Sequence, residues 1–508
     1  MTSREYSDIV QSQIVNDVRA IHDSLWSRRH IWDRAYRESR TPTCPALLLE
    51  LLSHQNFADM KYGLDPSFRF TVGRAVYKGM LKYLSNRYGV PYAVQPLPIE
   101  EVSVSFAEAA KTGHTKAVLK WRKRLDPLEP TAVPTGYILQ TRVDEGGFDT
   151  GRVLENVKSI DSLLSAEVEI IPGHIYSFRL TAYNEGGKSF PSETVSIGCP
   201  EENPTEAKKV LIVNNFDRIS GPAYFDTPSY AGFENRTDSG VPYIKDIAFI
   251  GDMYQSRRCR DWNSDDNPGF GASFDDKAGI EVAGNTFDYA SVHGKAVLKA
   301  GYAFYSGSNE AFCNDTTLRA GAWTLDLICG KQVTVTDARG HQNYIIFTPQ
   351  IQKAIRNFTS NGGNVLVSGA YIGTDIWDQV YPIKIDKDER KTAIEFAEMV
   401  LGYKWQGGFA GRCGNINPYG DWTGMTEPMS LYNCQNTVSY SVESTDGISP
   451  ASAKGQTVLR YPSTGVSAGI KYQGTGYKTV CLGFPIETLK TDEAIQAIIS
   501  SSLTYLAE

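Results

Sequence analysis

The sequence predicts a multidomain α/β protein, and three observations lead to that prediction. The chain has 508 residues, enough for about three domains of ordinary size. Strand-like alternation of apolar and polar residues runs from about residue 93 to residue 198. From residue 208 onward, short apolar strands alternate with helices, an order typical of parallel sheets covered by helices. We therefore expect domains at residues 1–90, 91–199 and 200–508.

The first of these domains is expected to hold two amphipathic helices with an apolar segment between them. Apolar residues recur at helical spacing within residues 4–26, and a second helix is predicted over residues 66–87. The run Pro45-Ala-Leu-Leu-Leu-Glu50 predicts a buried strand that ends at Glu50. An ionised glutamate in such a run is costly unless it is paired, hydrogen-bonded or near a metal. Glu50 is therefore a functional candidate, and the alternative is a strand end where its side chain reaches solvent.

This order of helix, proline-led strand, polar turn and helix resembles the C-terminal half of zinc-dependent N-acetylmuramoyl-L-alanine amidases. The resemblance covers residues 4–88 and is sharpest from Pro45 to Glu50. It implies an amidase-like α/β domain in which Glu50 takes the place of the catalytic glutamate, which acts with a zinc-bound water in the intact family. The family's zinc ligands lie upstream of the part represented here. The expectation is therefore zinc in the intact family, but no metal ligands and no cofactor in this chain alone.

The histidines and cysteines fit that expectation. A catalytic zinc requires about three protein ligands and an open position. The seven histidines show no paired spacing such as His-x-x-x-His: His22, His30, His54, His114, His174, His293 and His341. The eight cysteines form no Cys-x-x-Cys pair, which argues against a structural zinc site. Free buried thiols are one alternative for them, and one or two disulfides, with Cys413–Cys434 as the first pairing to test, are the other.

Residues 92–198 are expected to form a β-sandwich. Strands are predicted at residues 99–106 and 116–121, and residues 172–189 resemble the fibronectin type III signature, in which a tyrosine corner precedes the penultimate strand. The resemblance implies that Trp121, Tyr176, Phe178 and Leu180 point inward. Such a sandwich implies a spacer or binding module rather than a catalytic domain.

The third domain is expected to be a doubly wound α/β domain. Strands are predicted at residues 208–217, 323–330 and 365–369, with helices over 293–301, 349–359 and 491–507. Ligands of such folds bind beyond the carboxyl ends of the strands. That rule selects a set of candidate binding residues, whose alternative role is that of plain polar strand ends: Asn214, Asn215, Asp217, Arg218, Ser368, Tyr371 and Asp375.

Residues Gly362–Gly369 carry a resemblance to the flavodoxin-like folds related to class I glutamine amidotransferases. Those enzymes place a nucleophilic cysteine on a sharp strand-to-helix turn, with a histidine to activate it. The chain has no Gly-x-Cys-x-Gly segment, and Cys329 lies in Ile-Cys-Gly-Lys. The sequence therefore does not predict that chemistry.

Composition argues against nucleic acid as a partner and against a membrane-spanning segment. The formal net charge is −7 and no long basic run occurs, which argues against nucleic acid. No run approaches the roughly 20 apolar residues of a membrane span, and residues 1–20 hold no apolar signal-peptide core. The order of the three domains resembles secreted proteins of Bacteroides-type bacteria that are labelled xanthan lyase or N-acetylmuramoyl-L-alanine amidase. This resemblance implies a periplasmic or secreted location.

Three hypotheses of function follow. The leading one is a cell-envelope protein of the amidase family, which in its intact form hydrolyses the amide of peptidoglycan, with the zinc ligands missing from this chain. The alternatives are a non-catalytic glycan-binding or scaffold protein and a polysaccharide lyase of the xanthan type. Whether the chain is an enzyme is left open, and the expected partner is peptidoglycan or another polysaccharide. Glycan contact is also suggested by aromatic residues that we expect to be exposed and that alternate with Asn, Asp and Gly, although they equally suit a long loop region anchored by its own rings: Tyr224, Phe225, Tyr230, Phe233, Trp262, Phe270 and Tyr289.

Overall fold

The protein is a mixed α/β structure built around one large mixed sheet. The computed structural model describes residues 2–54, 56–107, 115–202, 204, 206–227, 230–233, 236–247, 251–257, 270–337, 341–378, 386–420, 422 and 424–508. Within these ranges, 18 strands join into the large sheet, and a four-stranded sheet and three strand pairs accompany it. No helix in the described ranges is both long and apolar enough to cross a membrane.

The N-terminal segment is helical. Its four helices are α1 (Ser3–Ile21), α2 (Arg37–Arg40), α3 (Phe57–Gly63) and α4 (Pro66–Tyr88). Thr2 and Glu5 form a capping box that fixes the start of α1, and Asp65 caps α4 directly before Pro66. Helices α1 and α4 pack on each other through a small apolar core, and the buried Lys78 ammonium lies 2.8 Å from the Asp17 carboxylate. The two predicted helices are confirmed, although α1 ends earlier than the pattern indicated.

The strand predicted from Pro45 to Glu50 is absent, and that prediction was wrong. Residues 45–52 are irregular, and Glu50 is exposed. The apolar side chains of Leu47, Leu51 and Leu52 pack individually against the α1–α4 core, while Leu48 is 46 % exposed. The Ala46 amide bonds to the Ser3 hydroxyl, at 3.3 Å. An apolar run without a neighbouring strand to bond to stays irregular.

The next segment consists of antiparallel strands in two groups. Strands β1, β2, β6 and β5 pair in that order, and β3 pairs with both β4 and β7, which in turn pairs with β8 and β9. The predicted inward positions of Trp121, Phe178 and Leu180 are confirmed, since each is at most 1 % exposed, whereas Tyr176 is half-buried. The bounds are β1 (Glu100–Phe106), β2 (Thr115–Arg122), β3 (Gly136–Val143), β4 (Arg152–Val153), β5 (Lys158–Ile160), β6 (Leu163–Ile170), β7 (Ile175–Asn184), β8 (Gly187–Lys188) and β9 (Val195–Gly198).

From residue 209 onward the chain contains both strands and helices. The strands are β10 (Lys209–Asn214), β11 (Tyr224–Asp226), β12 (Ala231–Phe233), β13 (Lys245–Asp246), β14 (Met253–Arg257), β15 (Phe270–Ser273), β16 (Val282–Ala283), β17 (Ala303–Ser308), β18 (Thr324–Gly330), β19 (Val335–Thr336), β20 (Gln342–Asn343), β21 (Asn364–Gly369), β22 (Tyr403–Gly407), β23 (Asn415–Pro418), β24 (Met429–Ser430), β25 (Gly447–Pro450), β26 (Gly455–Arg460), β27 (Ser467–Gln473) and β28 (Lys478–Leu482). The helices are α5 (Ala290–Lys299), α6 (Asn309–Asn314), α7 (Thr316–Ala320), α8 (Pro349–Ser360), α9 (Thr374–Trp377), α10 (Lys387–Phe396) and α11 (Asp492–Ala507), with a π-helical turn at Ala397–Leu401 and a 3₁₀ turn at Ile486–Thr488.

Five parallel strands form the centre of this part, in the order β17-β10-β18-β21-β28. Each is almost wholly buried, and β28 continues through β27 and β26 as an antiparallel extension. Helix α5 contacts α11, and α8 contacts α6 and α10. The antiparallel strands join this sheet directly, because Gly198 of β9 pairs with Phe304 of β17 and the Ser306 hydroxyl donates to the Ser196 carbonyl, at 2.9 Å. The carboxyl ends of all five strands therefore lie at one edge of the sheet. Through the pairing of β9 with β17, the same sheet is joined to the antiparallel strands that precede it.

Candidate functional site

The structure places four of the sequence-predicted binding residues together, at the carboxyl end of β10. The Asn214 amide donates to a Glu193 carboxylate oxygen, at 2.9 Å. The Asn215 amide donates to the Ile346 carbonyl, at 3.0 Å, so it fixes a neighbouring loop rather than facing solvent. Asp217 accepts from the Gln332 amide, and burial raises the pKa of its carboxyl to about 6. This strand end is thus a network of satisfied polar groups.

Arg218 anchors a buried chain of charges behind this edge. Its guanidinium pairs with Asp238 and donates to the Lys331 carbonyl, at 3.0 Å. The Lys331 ammonium lies 3.2 Å from Asp238 and 2.7 Å from Glu443. Burial alone would raise the pKa of Asp238, but the attraction of Arg218 and Lys331 outweighs it and holds that pKa at about 2. Two cations and two carboxylates therefore neutralise each other in the interior.

Two of the remaining predicted residues, Tyr371 and Asp375, bond to backbone groups of neighbouring loops. The Tyr371 hydroxyl donates to the Thr237 carbonyl, at 3.2 Å. Asp375 accepts from the backbone amides of Thr334 and Ile346, at 2.7 and 3.0 Å, and so clamps the two ends of one loop. Both side chains are buried, as is Ser368. Among the predicted binding residues, Arg218 also lines a cavity.

That cavity lies between the N-terminal helices and the loops after β10 and β18, and we call it the carboxyl-edge cleft. Its volume is about 560 Å³, within the roughly 300–1,000 Å³ of small-molecule pockets. Three half-buried tyrosines line it, namely Tyr62 of α3, Tyr224 of β11 and Tyr344 after β20. The Tyr344 hydroxyl donates to the Ile219 carbonyl, at 3.0 Å, which fixes that ring in the wall. Aromatic rings therefore come to the cleft from three separate parts of the chain.

Polar side chains surround these rings. Asp65 and Asp337 lie close enough to influence each other, and burial together with Asp337 raises the pKa of Asp65 although the Ser67 amide opposes this. Asp337 accepts from the backbone amide of His341, at 2.9 Å. The Lys61 ammonium lies 5.4 Å from the ring centre of Tyr224. The cleft thus combines apolar ring surfaces with carboxylates, an imidazole and a cation.

A smaller cavity of about 280 Å³ adjoins the cleft, and we call it the second cavity. The two share the wall made by Leu64 and the turn Ser220–Pro222. An added Cβ at Gly221 would lie 2.6 Å from the Leu64 carbonyl oxygen, so this wall is a close backbone contact. Sequence reasoning missed both cavities. Their walls come from segments more than 100 residues apart, and no local pattern signals that pairing.

Glu50 lies in the irregular segment 45–52 and lines neither cavity. The amidase resemblance implies zinc in the intact family. Across the described residues, no three His, Cys, Asp or Glu side chains stand together in a way that could hold a metal ion. His22 instead bonds to the Thr71 hydroxyl, at 2.9 Å, inside the helical core. Cys413 and Cys434 are exposed free thiols, so the pairing proposed between them was wrong.

The aromatic residues expected on the surface differ in their exposure. Phe233 and Tyr289 are buried, at 1 % and 7 % exposure, which contradicts that expectation. Tyr230 is 42 % exposed and packs against the ring of Phe225 in a tilted arrangement, with centroids 4.7 Å apart. Trp262 lies outside the described residues, as does the side chain of Phe270. Tyr224 and Phe233 are the members of this group that line the carboxyl-edge cleft.

Comparisons with known proteins give no family. No protein-family model matches the chain, and no curated protein matches it. A cytoplasmic protein of Salmonella typhimurium, STM3548, is 10 % identical over 59 % of this chain and 98 % of its own, with a TM-score of 0.31. The fibronectin type III domain of human fibronectin type III domain containing protein 3 is 27 % identical over 23 % of this chain and 99 % of its own, with a TM-score of 0.17. BhCBM56, solved as a Br derivative, is 10 % identical over 19 % of this chain and 89 % of its own, with a TM-score of 0.14. Scores this low assign neither fold nor function.

Proposed function

We propose that the chain is a non-catalytic glycan-binding protein of the cell envelope, with the carboxyl-edge cleft as its sugar site. The observation that carries the proposal is the convergence of Tyr62, Tyr224 and Tyr344 with Asp65 and Asp337 around about 560 Å³ of space. The C–H face of a sugar ring packs on an aromatic ring, while its hydroxyls require carboxylate, amide or imidazole partners. The cleft offers both kinds of group. The envelope location rests on the resemblance of the domain order alone.

The finer fold assignments belong to the same proposal. The pairing of β1–β2–β6 and of β3–β7–β9 supports a fibronectin type III-like sandwich at residues 91–199. The parallel order β17-β10-β18-β21-β28 reads 2-1-3-4-5 in chain order, which supports a doubly wound, flavodoxin-like domain at residues 200–508. Ligands of such domains bind where the strand order reverses, beside β10 and β18. The cleft lies beyond the carboxyl ends of these two strands.

Binding of neutral oligosaccharides tests the proposal. We expect cellotetraose or a chitin tetramer to bind the intact chain, as measured by calorimetry. The Tyr62→Ala substitution should weaken binding at least tenfold, because it removes one stacking surface. The exposed pair His341→Ala and Asn343→Ala should weaken it through lost polar contacts, with little risk to the fold. Tyr88→Ala, which removes a 70 % exposed ring that lines neither cavity, is the matched control. Unchanged affinity in both cleft variants would refute the assignment of the site.

Amidase and lyase activity remain proposals that rest on the resemblance. If the chain is an active amidase, the purified protein holds stoichiometric zinc, cleaves the muramyl amide, and loses that activity on Glu50→Ala. That result would overturn the non-catalytic proposal. A lyase would instead produce an unsaturated uronate that absorbs in the ultraviolet. Both assays use the same preparation as the binding experiment.

A further inference from the structure

We propose that the outer face of the four-stranded sheet β11-β12-β14-β15 binds the flat surface of an insoluble neutral polysaccharide. The inference goes beyond the proposed function, because it concerns a second surface and a polymer rather than a short soluble sugar. Four aromatic rings lie next to one another on this face, and we call them the aromatic platform: Phe225, Tyr230, Tyr254 and Phe274. These four rings are not among the residues that line the carboxyl-edge cleft.

The alternation of side chains along the strands separates the two faces of this sheet. Tyr224 and Phe233 are paired across β11 and β12, and both pack against α3 on the inner face. Phe225 is the next residue of β11, so its ring lies on the opposite face. It is paired with Gly232, which is paired in turn with Tyr254 of β14. A single strand, β11, therefore supplies one ring to the cleft and the next ring to the platform.

Gly232 allows two of the rings to meet above the central strand. An added Cβ at Gly232 would lie 2.9 Å from the Phe225 Cζ and 2.9 Å from the Tyr254 Cδ1, so both rings lie over this residue. Tyr230 completes the group, because its centroid is 4.7 Å from that of Phe225 and 6.3 Å from that of Tyr254. Its backbone amide donates to the Thr227 hydroxyl, at 3.0 Å, which fixes the turn that carries it. The planes of the three rings differ by at most 33°, so their faces have similar orientations.

The platform is accessible and has the shape of an open surface. Tyr230 is 42 % exposed and Phe274 is 49 % exposed, while Phe225 and Tyr254 are half-buried. The ring of Phe274 stands at 76° to that of Tyr254, so it forms a wall at one side of the other three. Exposed apolar patches of this kind mark interaction sites. A compact cation requires rings that surround it, whereas three rings of similar orientation suit an extended flat ligand.

The polar groups beside the rings favour a polysaccharide over single-stranded nucleic acid. The C–H faces of successive sugar rings pack on aromatic rings, and sugar hydroxyls donate to carboxylates. Asp252 accepts from the Tyr254 hydroxyl, at 3.1 Å, through one oxygen, and its buried Oδ1 has no hydrogen-bond partner among the described residues. Bases also stack on such rings, but their phosphates would meet the Asp252 carboxylate and a chain whose formal charge is −7. A neutral polymer with many hydroxyls avoids that repulsion.

Adsorption of the full chain to insoluble cellulose and to insoluble chitin tests the platform. We expect the chain to adsorb to at least one of these polymers. Tyr230→Ala and Phe274→Ala should each lower the partition coefficient about fivefold, because each removes one exposed stacking surface. Tyr230→Phe, which keeps the ring, should adsorb like the parent. Tyr88→Ala removes a 70 % exposed ring outside the platform and is the matched control.

Calorimetry with cellotetraose on the same variants separates this proposal from the sugar site in the cleft. The platform variants should keep their affinity for cellotetraose, which also shows that they are folded, and Tyr62→Ala should lose affinity but still adsorb. Adsorption without any binding of cellotetraose would overturn the cleft assignment and support the platform.

Three results would overturn the platform and leave the cleft assignment standing. They are the absence of adsorption to both polymers, adsorption that survives the combination of Tyr230→Ala with Phe274→Ala, and an equal loss of adsorption in Tyr88→Ala. Binding of an oligothymidylate that is lost in Tyr230→Ala would also overturn it, because the rings would then stack bases.

Discussion

His293 on α5 is fully buried between two carboxylates. Its Nδ1 lies 2.8 Å from Asp326 and its Nε2 lies 3.5 Å from Glu487, which also accepts from the Tyr440 hydroxyl, at 2.7 Å. Burial lowers the pKa of the imidazole, but the two carboxylates outweigh it and raise that pKa to about 10. The imidazolium is therefore the central charge of a group that joins α5, β18 and the 3₁₀ turn before α11.

Replacing His293 by Gln should destabilise the protein strongly. The substitution leaves two buried carboxylates without their cation, and breaking a buried pair in this way costs about 3–5 kcal/mol. Urea denaturation at neutral pH measures the loss. His341→Gln, at a 68 % exposed side chain, is the control and should change the free energy of unfolding by less than about 0.5 kcal/mol. A variant as stable as the parent would mean that the His293 charge contributes nothing.

The same residue predicts a dependence of stability on pH. An imidazole with a raised pKa binds its proton more tightly in the folded state than in the unfolded state. Its contribution is therefore complete below the unfolded value of about 6.5 and is lost as the pH rises towards about 10. We expect the difference in unfolding free energy between the parent and His293→Gln to shrink across that interval. A difference that stays constant or grows would contradict the assigned protonation.

At the scale of elements, the contact between α1 and α4 depends on one glycine. An added Cβ at Gly79 would lie 2.8 Å from the Val10 Cα, so Gly79→Ala must push the helices apart. Alanine favours a helix over glycine by about 1 kcal/mol, whereas overpacking costs about 1–3 kcal/mol. We expect the overpacking to outweigh the helix preference, so Gly79→Ala should lower the free energy of unfolding. Gly73→Ala on the same helix meets no atom within 4 Å and should stabilise by up to about 1 kcal/mol. Thermal unfolding should show a lower midpoint for Gly79→Ala and a higher midpoint for Gly73→Ala than for the parent.

The elements also show what local sequence can and cannot predict. Strand β10 and its polar end at Asn214 and Asp217 were predictable, because a buried parallel strand is a continuous apolar run whose polarity changes abruptly at its end. The run at Pro45–Glu50 has the same local pattern and forms no strand. What separates the two is the presence of neighbouring strands, since β10 bonds to β17 and β18. Pairing partners lie far away in sequence, and a local pattern carries no information about them.

At the scale of the whole molecule, the candidate site exists only where three segments meet. Helix α3 ends at Gly63. The next residue, Leu64, contacts the turn after β10. Leu64 and Asp65 also line the cleft, together with the loop after β18. The apolar residues Phe57, Phe233 and Met253 form a small core that fixes this corner against the four-stranded sheet. The position of the N-terminal segment therefore determines the width of both cavities. The sequence pattern at the strand ends identifies Arg218, but it does not identify the residues of the N-terminal segment that form the opposite wall of the cleft.

Substitution of Gly221 tests this dependence directly. An added Cβ would lie 2.6 Å from the Leu64 carbonyl oxygen, which belongs to the backbone and has little freedom to yield. Gly221→Ala should therefore displace the corner between α3 and α4 from the turn after β10, at a cost of about 1–3 kcal/mol. Hydrogen exchange of the backbone amides in α3 should speed up about tenfold or more, while the amides of β3 and β7 keep their rates.

Gly147→Ala, where an added Cβ meets no atom within 4 Å, is the control and should change the exchange rates of neither set of amides. If the glycan-binding proposal is correct, affinity for cellotetraose falls together with the faster exchange. Unchanged exchange in α3 would show that the corner does not depend on the Gly221 contact.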